Sequence, residues 1–148
     1  MSLGDARAAP GWHGKLPTLG DFASRGLAPD FLESWDAWLA QGLAQLQQRD
    51  GAGWLQAYLD SPSWRFVLAP GVLGEQAWAG VLMPSVDRVG RYFPFTIAQA
   101  LPALPVHSAS CLALSAWLDR LDDLAVSALY DDWSVEQLEQ ALQSAPMP

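Results

Sequence analysis

Ser85, Asp87, His13 and His107 are the residue types from which a hydrolytic centre could be built: a hydroxyl nucleophile, a base to take its proton and a carboxylate to orient the base. Ser85 sits in Pro84-Ser85-Val86-Asp87-Arg88, outside any G-x-S-x-G elbow, and the spacing singles out neither histidine as its base. Asp21 and Asp87 could instead form a carboxylate pair that divides acid and base roles. Each has an arginine nearby in sequence, Arg25 and Arg88, so loop ion pairs account for them with fewer assumptions.

The stretch GWHGKLPTLGDFASRG (residues 11–26) has the glycine density of a phosphate cradle. A P-loop requires G-x-x-x-x-G-K-[ST]; here Gly14-Lys15 is followed by Leu16, and Ala9 occupies the first glycine position. Two histidines and one cysteine do not complete a zinc set, and the acids Asp122, Asp123, Asp131 and Asp132 lack the ligand spacing of a calcium loop. No metal and no cofactor is expected. Five of the eight bases, Lys15, Arg25, Arg65, Arg88 and Arg91, fall in or beside two glycine-bearing loops and the middle strands. Two readings stay open. If the loops lie at one end of a sheet, these bases could bind an anion or an acidic partner segment; otherwise they neutralise Asp21, Asp60 and Asp87.

The composition narrows the function classes. At 148 residues the chain fits a single domain spanning 1–148, with residues 1–10 as a loose N-terminal arm. Its 51% apolar and 16% charged residues describe a packed core. The net charge of −8 argues against nucleic acid as a partner. Residues 101–148 carry seven acids against one base, an acidic back surface on which Trp117 or Trp133 could anchor a partner. Cys111 permits no internal disulfide and, within CLALSAWL, reads as a small core residue. No signal pattern and no apolar run of membrane-spanning length is present, so a cytoplasmic location without membrane insertion is expected.

The elements that must position these residues follow from periodicity. Residues 11–16 predict a short strand, and Pro17, Gly20, Gly26 and Pro29 a long loop. Phe31, Leu32, Trp35, Trp38, Leu39, Leu43 and Leu46 keep helical spacing from Pro29 to the glycines at 51 and 53. WLQAYLDS predicts a second helix, and SWRFVLAPG, QAWAGVLMP and RYFPFTIAQA three strands, the last with Pro94 marking an edge or bulge. Leu114, Trp117, Leu118, Leu121 and Leu124 define a further helix, and Ser134 with Gln137 a capping box for a last one. The expected fold is α/β: a single antiparallel or mixed sheet sandwiched by helices, three layers in the order α-β-α.

Four strings in this order, GKLPTLGDF with Arg25 and Gly26, WDAWL, SWRFVL and WAGVLMPSVDRVGRYFP, resemble the type VI secretion-associated TagF (ImpM) family over roughly residues 11–100. The signature maps onto Gly14, Lys15, Pro17, Gly20, Asp21, Phe22, Arg25, Trp64, Arg65, Phe66, Pro84, Ser85, Asp87, Gly90, Arg91 and Pro94. The resemblance implies a compact α/β sandwich and a cytoplasmic, non-enzymatic accessory protein. It implies post-translational repression of secretion-machine assembly through binding of a forkhead-associated scaffold protein. It names no catalytic residue and carries no phosphatase domain over to this chain. Under it, Trp64, Phe66 and Phe22 are core fillers, and Lys15, Asp21, Arg25, Arg65, Ser85, Asp87, Arg88 and Arg91 form the candidate charged loop cluster. The alternatives are an anion- or phosphopeptide-binding module and a small hydrolase.

Overall fold

The computed structural model describes residues 9–148; most of the expected N-terminal arm, residues 1–8, lies outside the described residues. Five strands and four α-helices follow in the order β1 (Gly11–Gly14), β2 (Ala23–Arg25), α1 (Pro29–Asp50), α2 (Trp54–Asp60), β3 (Trp64–Leu68), β4 (Ala77–Met83), β5 (Phe95–Leu101), α3 (Ser108–Tyr130) and α4 (Val135–Gln143). The helices start and stop where local chemistry directs. Pro29 opens α1 in the first turn, where its missing N–H costs nothing, and Gly51 ends it at φ +53°. The Ser134–Gln137 capping box closes reciprocally at the start of α4.

The strands form one antiparallel sheet in the order β2-β1-β5-β4-β3. Two expectations change here. β2 is a strand inside the stretch read as loop, paired to β1 from Trp12↔Arg25 to Gly14↔Ala23. Pro94 marks neither an edge nor a bulge: it precedes β5, a central strand that begins at Phe95. Its lack of an N–H therefore leaves the ladder intact.

Period-two alternation divides the core into two clusters. Ala77, Ala79, Val81 and Met83 of β4 and Phe95, Ile97 and Leu101 of β5 join Trp12, Leu118, Leu121 and Ala125, with Leu138 and Leu142 of α4. The intervening Trp78 and Leu82 of β4 and Ala98 and Ala100 of β5 pack with Phe31, Trp35 and Leu39 of α1. Each large side chain so buried contributes roughly 1.5–3 kcal/mol. Phe31 stacks on Trp78 with ring centroids 3.9 Å apart.

Much of the tryptophan content is explained by indole N–H groups that find partners. Trp35 donates to Thr96 Oγ1 at 2.8 Å, Trp117 to the Ala145 carbonyl at 2.9 Å, and Trp12 to Glu139 Oε1 at 2.5 Å. Trp117 is therefore core and not a surface anchor. Trp133 is half-buried against the α3–α4 cluster. Trp64 is 57% and Phe22 45% exposed, so neither is the core filler expected, while Phe66 is half-buried beside Trp35. Cys111 is exposed, because the whole first turn of α3, residues 108–112, is exposed.

Candidate functional site

Gly14 brings the two charged loops together. It ends β1 at φ +132°, and a Cβ there would lie 2.2 Å from the Pro94 carbonyl oxygen, so only glycine lets the chain pass this close to the entry of β5. Lys15 follows directly. Its side chain is buried, with Nζ 4.8 Å from the Phe22 ring centroid and 3.5 Å from Asp87 Oδ2.

Asp87 organises the second loop. Its side chain has no solvent exposure. Oδ1 accepts from the Val89 and Arg91 amides at 3.0 and 2.9 Å, and Oδ2 accepts from Arg91 Nε at 2.8 Å. The Asp87 amide donates to the Arg91 carbonyl, and the Gly90 amide donates to the Asp87 carbonyl, with Gly90 at φ +88°. Burial pushes the Asp87 carboxyl up. The hydrogen bonds from Arg91 and Val89, with the Arg91 charge, outweigh that and hold it below the ordinary carboxylate value.

The loops are laced through backbone as well as charge. Arg88 N donates to the Leu19 carbonyl at 2.6 Å, and Arg91 Nη2 donates to the Gly20 carbonyl. Ser85 Oγ, itself buried, donates to the Lys15 carbonyl at 2.6 Å. Tyr58 of α2 donates its hydroxyl to the Ser85 carbonyl and accepts from the Ser85 amide, both at 2.8 Å. Burial drives the Tyr58 phenol far above its ordinary value, against the lowering effect of the Ser85 backbone bond. On the other side Thr18 Oγ1 donates to the Trp133 carbonyl at 2.8 Å, tying the first loop to the α3–α4 turn.

Lys15, Ser85, Asp87, Arg88 and Arg91 thus meet at one junction. The other candidates do not join it by ion pairs. Asp21 is exposed and accepts from the Phe22 amide at 2.7 Å. Arg25 is exposed at the end of β2. Arg65, on β3, bridges to Asp119 and to Asp122, the latter at 3.0 Å, on α3. Those acids raise its pKa, the Asp122 hydrogen bond most strongly. Sequence reasoning missed Tyr58 and Thr18, which carried no motif. His13 lies beside the junction: its ring stacks on Phe22 with centroids 5.9 Å apart, and its Nε2 donates to Asp36 Oδ1 at 2.8 Å on α1.

The junction places one buried carboxylate between two cations, Lys15 and Arg91. Arg88, Val89 and Phe22 are exposed around it. Two exposed guanidinium groups, Arg88 and Arg91, thus stand at this tip with the Phe22 ring and one exposed acid, Asp21, on a chain whose net charge is −8. Such a surface suits an acidic partner. The Ser85 hydroxyl is engaged with backbone and turned inward.

Comparison with known proteins adds the following. The family model described as TagF N-terminal domain, type VI secretion system-associated, matches residues 11–145. The crystal structure of PA0076 from Pseudomonas aeruginosa PAO1 is similar, with 48% identity and a TM-score of 0.86. The likeness covers 95% of this chain and 64% of that one. No curated protein matches the sequence. Among the described residues, no helix is long and apolar enough to cross a membrane.

Proposed function

The chain belongs to the TagF N-terminal domain family, associated with type VI secretion, and from that premise we propose that it is a post-translational repressor of secretion-machine assembly. It acts in the cytoplasm by binding a forkhead-associated scaffold protein. The mechanism is mass action: scaffold held in this complex is withdrawn from assembly. The match over residues 11–145 carries the reading. The role is non-enzymatic, which the inward Ser85 hydroxyl supports, and the two apolar clusters on alternate strand positions support a three-layer α-β-α sandwich.

The candidate binding surface is the junction tip, Arg88 with Arg91 and Phe22, over the buried Lys15–Asp87 pair. The test is a titration of the purified chain with the scaffold protein at low and high salt. Saturable binding that weakens with salt is expected; absence of binding at low salt overturns the reading. The surplus of positive charge at the same tip favours a second reading, an anion- or phosphopeptide-binding module. Displacement of the scaffold by a phosphothreonine peptide, and not by its unphosphorylated form, would select it.

A further inference from the structure

β3 is the last strand on one side of the sheet. Among the described strands it pairs with β4 alone, so the outer row of its backbone groups has no strand beside it. Natural sheets shield such an edge with lysine, proline, a bulge or a cover, because it templates pairing with another chain. WRFVL, residues 64–68, contains no lysine or proline, and its one charged residue, Arg65, is tied to Asp119 and Asp122 of α3. Its register with β4 runs one to one from Trp64↔Leu82 to Leu68↔Trp78, with no bulge. Trp64 and Val67 are 57% and 45% exposed.

Beside Trp64 opens an apolar groove of about 350 Å³ between α1 and α2, with Trp38, Leu46 and Tyr58 among its walls and Gly42 on α1. A Cβ at Gly42 would meet no atom within 4 Å, so a side chain there would enter open groove. A glycine inside a helix costs about 1 kcal/mol relative to alanine, and here it keeps that space open. On the opposite face of β3, Arg65 meets Asp119 and Asp122, and Asp123 adds to the field it feels. Three carboxylates therefore face one guanidinium, and the edge is net acidic.

We propose that β3 is a strand-docking edge for the scaffold partner. An extended segment of that partner pairs with the outer backbone row, sets a bulky apolar side chain into the α1–α2 groove and points a basic side chain toward Asp119 and Asp123. The unpaired row selects an extended segment, the groove an apolar residue, and the acids a basic one. A second copy of this chain fits less well, since it would bring the same acidic edge and a net charge of −8 against itself. The inference rests on the scaffold-binding reading above and assigns a contact separate from the junction tip.

Two variants and an exchange measurement test it, with the scaffold protein as probe. Gly42→Leu fills the groove with a better helix former, and Val67→Lys guards the edge. Each is expected to weaken scaffold binding at least tenfold without lowering the melting temperature. Amides of residues 64–68 are expected to gain hydrogen-exchange protection in the wild-type complex. Undiminished binding by both variants, or protection confined to residues 85–91, overturns the docking edge while the scaffold reading stands. No binding by the wild type overturns both. A dimer of the chain alone that Val67→Lys dissociates would assign the edge to a second copy and overturn the proposal.

Discussion

The Lys15 ammonium lies 3.5 Å from a buried Asp87 carboxylate that Arg91 also holds at 2.8 Å, so a single acid anchors a cation from each of two loops. Removing the acid would leave Lys15 buried without its counter-charge, a more damaging change than removing either base. Asp87→Ala is expected to lower the melting temperature more than Lys15→Met or Arg91→Ala. Thermal denaturation of the three variants side by side makes the comparison.

The direction of the Asp87 shift fixes its pH dependence. A carboxyl held below its unfolded value stabilises the fold above that value, about pH 4, and loses the contribution as pH falls through its lower folded value. The wild-type melting temperature is expected to fall more steeply as the pH drops below about 4 than that of Asp87→Asn. Parallel slopes in that window would contradict the assignment.

Gly14→Ala tests the crossing of β1 over the entry to β5. The added Cβ meets the Pro94 carbonyl at 2.2 Å from a backbone at φ +132°. A loss of roughly 2 kcal/mol or more is expected from the combined clash and backbone strain, read as a shift of the urea midpoint.

Ser85→Ala separates structure from chemistry. It removes a buried donor from the Lys15 carbonyl and is expected to cost roughly 1–3 kcal/mol, with scaffold binding intact at temperatures where the variant is folded. A folded variant that no longer binds the scaffold would give the hydroxyl a role beyond architecture.

Arg88→Ala probes the junction tip with little risk to the fold, because the Arg88 tie to Leu19 runs through its backbone amide. Stability is expected to change by no more than about 0.5 kcal/mol, and scaffold affinity to fall about tenfold at low salt and less at high salt. Calorimetric titration at two ionic strengths reads both.

What sequence alone conveyed depended on how local each determinant is. The helices were legible because their signals lie within a few residues: Pro29 and Gly51 bracket α1, and Ser134 with Gln137 caps α4. β2 was not, because three residues among glycines become a strand only when β1 lies alongside. The family resemblance cast Trp64 as a core filler but could not show that its position is open at the sheet edge. The convergence of Lys15 with Asp87 and Arg91 was anticipated. The exclusion of Arg65 depends on strand order, which puts β3 at the sheet edge, where Arg65 meets Asp119 and Asp122 of α3.

The bond from Trp12 to Glu139 spans 127 positions, and β1 lies between β2 and β5. During synthesis, a nascent chain whose α4 is still inside the ribosomal tunnel cannot seat its first strand with that bond in place. The apolar strands made earlier must therefore wait, exposed to chaperones, until α4 has emerged.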